Sequence, residues 1–249
     1  MKVLLLAGTA EATQLARLLA ELPDVSVTVS YAGRTSPPDL QGCGVRVGGF
    51  GGVDGLAADI RREAYDALVD ATHPFAAVMP WNAAAAADAV GVPRLRLLRP
   101  PWEQSPADTW LEIADLAAAP DALRKVDAHR VLLTTGRLEL APFRPLSQAG
   151  VEFVVRSIEP PDPQPLVGAT VLLARPPFTV ADEIALLHDH RIDTVVTKNS
   201  GGTATAAKLT AARRVGLPVV MVARPPVPNG PLATTAADAL TWLESLLTP

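Results

Sequence analysis

Short apolar, β-branched runs alternate with helix-patterned segments along the whole chain, and they predict an α/β fold. The form expected is two Rossmann-like domains whose parallel sheets face a central cleft. Composition agrees: alanine, valine and leucine dominate and only 4% of residues are aromatic, which suits helices packed on parallel strands. Strand ends agree too, because glycine, threonine and short polar residues gather where the runs stop, as at Gly8, Gly48-Gly49, Thr135-Gly136 and Gly201-Gly202.

The bulk properties exclude several classes. A chain of 249 residues with 49% hydrophobic content holds one large core or two smaller ones. A formal charge of −4 argues against a nucleic-acid partner, which requires a basic face. Cys43 is the single cysteine, so neither an internal disulfide nor a Cys-rich metal cluster is expected, no metal site is assigned, and a reducing cytoplasm is the simplest setting. The opening Met1-Lys2-Val3-Leu4-Leu5-Leu6-Ala7 is too short for a signal peptide. No apolar run approaches the roughly 20 residues that cross a bilayer, so no membrane partner is expected.

In chain order, Val3 to Ala7 reads as a strand, Gly8 breaks it, and Thr9-Ala10-Glu11 opens a helix carrying Leu15, Leu18, Leu19 and Leu22 at helical spacing. The G-x-G-x-x-G fingerprint is absent, yet small residues there still let a phosphate approach; an ordinary tight turn reads the same way. The second strand, Val25 to Tyr31, ends in Ala32-Gly33-Arg34-Thr35 with no acid to hold a ribose hydroxyl. Arg34 instead suits the extra phosphate of NADP, or is an exposed loop arginine. Val45-Arg46-Val47 leads into Gly48-Gly49-Phe50-Gly51-Gly52, where backbone can approach a ligand, and then into the helix around Leu56 to Ile60.

Ala67-Leu68-Val69-Asp70 is a fourth strand, closed by Ala71-Thr72-His73-Pro74-Phe75 with Pro74 at the start of an alanine-rich helix running through Ala89. His73 at that strand end faces the ligand crevice or serves as a turn residue. Val92 to Leu98 is a fifth strand whose Arg94, Arg96 and neighbouring Arg99 also fit solvated positions on an edge. Pro100-Pro101-Trp102 marks a break, and the first domain is drawn over 1–128, its boundary falling between 100 and 130. Trp110 to Ile113 is an added strand and Asp115 to Val126 a helix.

The second domain, 129–249, repeats the pattern. Its strands are Arg130 to Thr134, Val151 to Arg156, Thr170 to Ala174, the run ending in Thr197-Lys198, and Pro218 to Val222. Helices are expected over Val180 to Asp189, Thr205 to Val215 and Ala236 to Leu247. The stretch Thr197-Lys198-Asn199-Ser200-Gly201-Gly202 stands where a strand gives way to a helix, a junction whose free N–H groups and dipole favour an anion. A lysine at such a place needs something negative opposite it.

Gly8-Thr9-Ala10-Glu11, the glycine loop, Ala71-Thr72-His73-Pro74-Phe75-Ala76, Thr134-Thr135-Gly136, and Thr197 to Gly202 with Lys208 and Pro218-Val219-Val220-Met221 occur in that order over nearly the whole chain. Together they resemble the precorrin-6A reductases of cobalamin biosynthesis. The resemblance implies NADPH-dependent reduction of one carbon–carbon double bond of the precorrin-6A macrocycle, giving dihydro-precorrin-6. It assigns the cofactor to the first half, at Gly8, Thr9, Ala10, Glu11, Arg34 and Thr35, with Gly49, Gly51, Gly52 and Thr72. The substrate's carboxylate arms then fall to Thr135, Gly136, Arg137, Asn199, Ser200, Gly201, Gly202 and Lys208. Lys198 is the first candidate to supply a proton or stabilise the macrocycle, and His73 the second. The family often carries aspartate after the lysine, and Asn199 departs from that toward a hydrogen-bonding role. Two other readings stay open: a two-domain glycosyltransferase of Rossmann type using a sugar nucleotide, and a non-catalytic module that senses NADPH.

Overall fold

The computed structural model describes residues 1–33, 38–163 and 166–247. The chain opens with β1 (Lys2–Leu6), α1 (Ala10–Ala20), β2 (Ser26–Tyr31), β3 (Gly44–Val47), α2 (Gly52–Glu63), β4 (Ala67–Asp70), α3 (Met79–Val90) and β5 (Arg94–Leu97). It continues with β6 (Trp110–Ile113), α4 (Ala119–Lys125), β7 (Arg130–Leu133), α5 (Arg144–Gln148), β8 (Glu152–Ser157) and β9 (Thr170–Leu173). Then follow α6 (Val180–Asp189), β10 (Thr194–Lys198), α7 (Ala207–Val215), β11 (Val219–Val222), β12 (Leu232–Ala233) and α8 (Ala236–Ser245).

Two compact units result, one made of Met1–Pro100 with Pro226–Pro249 and the other of Pro101–Pro225. Each is built on a six-stranded sheet, in the orders β3-β2-β1-β4-β5-β12 and β9-β8-β7-β10-β11-β6. Every pairing is parallel. Setting aside the edge strands β6 and β12, both sheets start at their third position, walk outward, and then restart on the other side. Strand order therefore reverses between β1 and β4 in one unit and between β7 and β10 in the other, and such reversals open a crevice beyond the strands' carboxyl ends.

The outermost strands are exchanged. After β5 the chain leaves its sheet and places β6 beside β11, Trp110 opposite Val219; after β11 it returns to place β12 beside β5, Leu232 opposite Arg96. The division falls at Pro100/Pro101, at the near edge of the expected 100–130 range, and one expectation is corrected: the closing helix belongs to the first unit, not the second. The physical reason is α8's apolar stripe: Ala236, Ala239 and Leu243 share a buried cluster with Leu15, Ala16 and Leu19 of α1.

Parallel strands covered on both sides explain the uninterrupted apolar runs. Along β1, Val3 and Leu5 face the layer holding α1 and α8, while Leu4 and Leu6 face that of α2 and α3. In β7, Val131 and Leu133 pack toward α4 and α5, and Leu132 toward α6 and α7. Each such fully buried leucine or valine contributes about 1.5–3 kcal/mol.

Two helix starts differ from expectation. Residue 74 lies in a turn and α3 begins at Met79, with Pro80 at its first positions; proline is favoured there because its missing N–H has no helical partner. The helix after β10 begins at Ala207, not Thr205, leaving an irregular loop over 199–206. Among the described residues no helix is long and apolar enough to cross a membrane.

Candidate functional site

In the first unit, the loops after β1 and β4 meet at the reversal. A Cβ added at Gly8 would stand 3.3 Å from the backbone N of His73, so any larger residue would push the two turns apart by a few tenths of an ångström. Thr9 caps α1 by accepting from the N–H of Ala12 (3.1 Å) and donates to the carbonyl of Ala71 (3.1 Å). Ala10 is the first residue of α1, and Glu11 in that first turn accepts from Arg99 (2.8 Å). The Glu11 carboxylate thus stands paired inside the protein rather than bare beside a phosphate.

Beneath the β4 turn lies a charged pair with almost no exposure. Asp70 and Arg96, facing each other across β4 and β5, form an ion pair of 2.5 Å, their side chains 0% and 3% exposed. Thr72 joins it: its hydroxyl donates to Asp70 (2.7 Å) and accepts from Arg96 Nη1 (2.8 Å), and its N–H donates to Asp70 (3.1 Å). Arg96 is accordingly no solvated edge arginine, since β12 covers β5 on its far side. His73 Nδ1 accepts from the N–H of Phe75 (3.2 Å), which folds the ring back over its own turn.

The glycine loop is shaped by a residue that spacing alone did not single out. Arg46 donates to the carbonyls of Gly48 (2.6 Å) and Gly49 (2.7 Å), and its guanidinium lies 3.7 Å from the ring centre of Phe50. Gly48, Gly51 and Gly52 take positive φ of 119°, 84° and 87°, and Cβ atoms added at Gly48, Gly49, Gly51 or Gly52 would meet nothing within 4 Å. Gly51 caps α2 without a side-chain hydrogen bond, so the first amides of that helix are left to the loop side. An open backbone surface opposite a tight Gly8 turn fits a dinucleotide. Arg34 and Thr35, expected at the ribose phosphate, lie outside the described residues.

In the second unit the loops after β7 and β10 take the matching places. Thr135 is buried, with a hydroxyl that has no hydrogen-bond partner among the described residues, and Gly136 has φ of 98°. Arg137 pairs with Glu159 at 2.9 Å. Lys198, at the end of β10, forms an ion pair with Glu139. The negative group that a lysine there calls for is supplied by the protein.

The residues after Lys198 are held by Trp102. Asn199 Oδ1 accepts from the Trp102 N–H (2.7 Å) and its Nδ2 donates to the Trp102 carbonyl (3.0 Å), while the indole N–H donates to the carbonyl of Gly202 (2.8 Å). Ser200 donates to the carbonyl of Lys198 (3.2 Å). Gly201 and Gly202 have φ of 68° and 80°. Lys208 is 4% exposed; its ammonium donates to the carbonyl of Thr205 (2.7 Å) and stands 4.7 Å from the Trp102 ring centre. Lys208 braces the loop from within. Among the described residues no group of three or more His, Cys, Asp or Glu could hold a metal ion.

Two doubly wound parallel sheets, each with a glycine-bearing crevice at its reversal, narrow the fold, and residues 2–244 match the family described as Precorrin-6x reductase CbiJ/CobK. The chain belongs to this family. It is 48% identical to the precorrin-6A reductase of Rhodococcus erythropolis over 248 residues, covering 98% of each chain. It is 43% identical over 247 residues to that of Mycobacterium tuberculosis strain H37Rv, again with 98% of each covered. A cobalt-precorrin-6A reductase from Priestia megaterium is 28% identical over 253 residues, 96% of each chain. Among solved structures, CobK precorrin-6A reductase superposes with a TM-score of 0.90 at 42% identity, covering 99% of this chain and 97% of that one.

Within this precorrin-6x reductase fold, several residues that build the two crevices escaped the sequence. Arg96, Trp102 and Glu139 act through partners brought near by topology, whereas Arg46 acts on the loop that directly follows it. The one signal available was position: all four lie at or just beyond strand ends on the carboxyl side or in the break after β5.

Proposed function

We propose that this chain reduces one carbon–carbon double bond of precorrin-6A to give dihydro-precorrin-6, using NADPH. Family membership carries the reading, with relatives named precorrin-6A reductase at 42–48% identity over 94–98% of their lengths, among them those of Rhodobacter capsulatus and Rhodococcus erythropolis. The cobalt-free macrocycle is favoured because relatives named cobalt-precorrin-6A reductase, such as that of Priestia megaterium, fall to 28% identity. A cytoplasmic setting, in keeping with the single Cys43, completes the reading.

NADPH, when bound, supplies the hydride. The crevice of the first unit is its place in our reading. Gly8 admits the pyrophosphate to the start of α1, and the open faces of Gly49, Gly51 and Gly52 approach the rest. Thr72 and His73 hold the wall between them, the hydroxyl of Thr72 through Asp70 and Arg96. In the second unit, Thr135, Gly136, Arg137 and the loop from Ser200 to Gly202 receive the macrocycle's carboxylate arms through hydroxyl, backbone N–H and guanidinium donors. Lys198 Nζ delivers the proton that the second carbon of the reduced bond requires, with Glu139 orienting it.

The test is loss of NADPH absorbance with purified protein, given precorrin-6A, its cobalt-containing counterpart, or no macrocycle. Consumption with precorrin-6A alone is expected, at a rate well above that with NADH substituted for NADPH; equal rates would overturn the cofactor reading. No consumption with authentic precorrin-6A overturns the function.

A further inference from the structure

Trp102 grips the loop after β10 at both ends. Its backbone N–H and carbonyl bond the side-chain amide of Asn199 (2.7 and 3.0 Å) in the manner of a strand pair, and its indole N–H reaches the carbonyl of Gly202 (2.8 Å). Arg224 adds a bond from Nε to the carbonyl of Asn199 (2.7 Å). The gripped segment includes Gly201 and Gly202, both at positive φ, residues with the widest conformational choice. The following helix gives them little help, since its N-cap Ala206 has no side chain to anchor the preceding turn.

We propose that Trp102 and Asn199 form a clamp that fixes the loop from Asn199 to Gly202 in its substrate-receiving shape, Asn199 being a positioning residue rather than a contact to the macrocycle. The proposal rests on the reading above that this loop receives the substrate. An amide suits the place because it donates and accepts at once. A carboxylate keeps the bond from the Trp102 N–H but sets its second oxygen against the Trp102 carbonyl. A released loop samples other shapes, and apparent substrate affinity falls by the fraction that remains competent. Once substrate is bound the shape is restored, so turnover is spared.

Two variants of the full chain test this: N199D disrupts the amide pairing with the Trp102 backbone, and W102F removes the indole donor to Gly202 together with part of the ring that Lys208 faces. Steady-state kinetics with precorrin-6A and NADPH, and hydrogen exchange of the amides over 199–206, are measured for each. Both variants are expected to raise KM for the macrocycle about five- to tenfold, with kcat and KM for NADPH within twofold, and to speed exchange in that loop about tenfold. If N199D leaves loop exchange unchanged, the clamp is overturned, and a raised KM for the macrocycle would then mean that Asn199 acts by direct contact. A fall in kcat at constant KM overturns it as well. Should the parent chain itself fail to reduce precorrin-6A, the function reading falls, and loop exchange in N199D still decides whether the clamp exists.

Discussion

Lys198 and Glu139 are ion-paired at the carboxyl end of the second sheet, one closing β10 and the other lying in the segment after β7. Lys198 is 13% exposed in its side chain and Glu139 42%, so the cation is sheltered while its partner stays open to exchange with an incoming carboxylate. Lys198→Ala is expected to lower kcat with precorrin-6A by about a hundredfold, the scale of a lost proton donor. Glu139→Gln, which keeps the shape and removes the charge, should change kcat less than tenfold. Equal losses in the two variants would place the chemistry elsewhere.

The Asp70–Arg96 pair predicts a large stability effect. Asp70→Asn leaves a guanidinium buried without its counter-charge, and about 3–5 kcal/mol of stability should be lost. Thr72→Val removes two hydrogen bonds from the same network and should cost about 1–3 kcal/mol. Urea midpoints of the two variants check this, and a smaller effect for Asp70→Asn than for Thr72→Val would contradict it.

The glycine loop predicts opposite outcomes for two similar substitutions. A Cβ at Gly55 would stand 1.7 Å from the carbonyl oxygen of Phe50, whereas one at Gly49 meets nothing within 4 Å. Gly55→Ala should therefore destabilise by about 3 kcal/mol or more, because backbone must shift. Gly49→Ala should stay within about 1 kcal/mol while weakening NADPH binding, if the cofactor approaches that face. Thermal melting and NADPH titration separate the two effects.

Acid should loosen the second unit through Asp108. Burial raises the pKa of this carboxyl, but bonds from Arg213 (2.8 and 3.0 Å) and from the N–H of Ser105 (2.7 Å) outweigh it and hold the group below the usual carboxylate range. A depressed folded pKa means that the stabilisation is complete above the ordinary aspartate value of about 3.9 and disappears as pH falls through the lower folded value. Melting temperature should decline over that acid window in the parent and less steeply in Asp108→Asn. Identical slopes would remove Asp108 as a source.

Much of the scaffold was legible because double-sided burial leaves a plain trace. The runs at Ala67–Asp70, Trp110–Ile113 and Val180–Asp189 became elements with those bounds. The strand exchange was not legible, since β12 has two residues and no period to detect. Arg96 was hidden for a related reason: Arg94-Leu95-Arg96-Leu97 alternates like a half-exposed strand, and only β12 beyond it turns the arginine inward. Asn199 and Trp102 stand 97 positions apart, and no local pattern announces an amide paired with a distant backbone.

The order in which the two units can complete folding follows from the exchanged outer strands. The middle unit, Pro101–Pro225, is one uninterrupted stretch, whereas the unit around it needs both ends of the chain. On the ribosome the second sheet has all its strands once β11 emerges, but β5 waits for Leu232 and Ala233, and α1 waits for α8. The half that begins translation is thus the last to finish folding. A nascent chain stalled just after Pro225 would carry a closed inner unit and an outer one with an unprotected edge at β5, exposed to pairing with other chains until the final residues arrive.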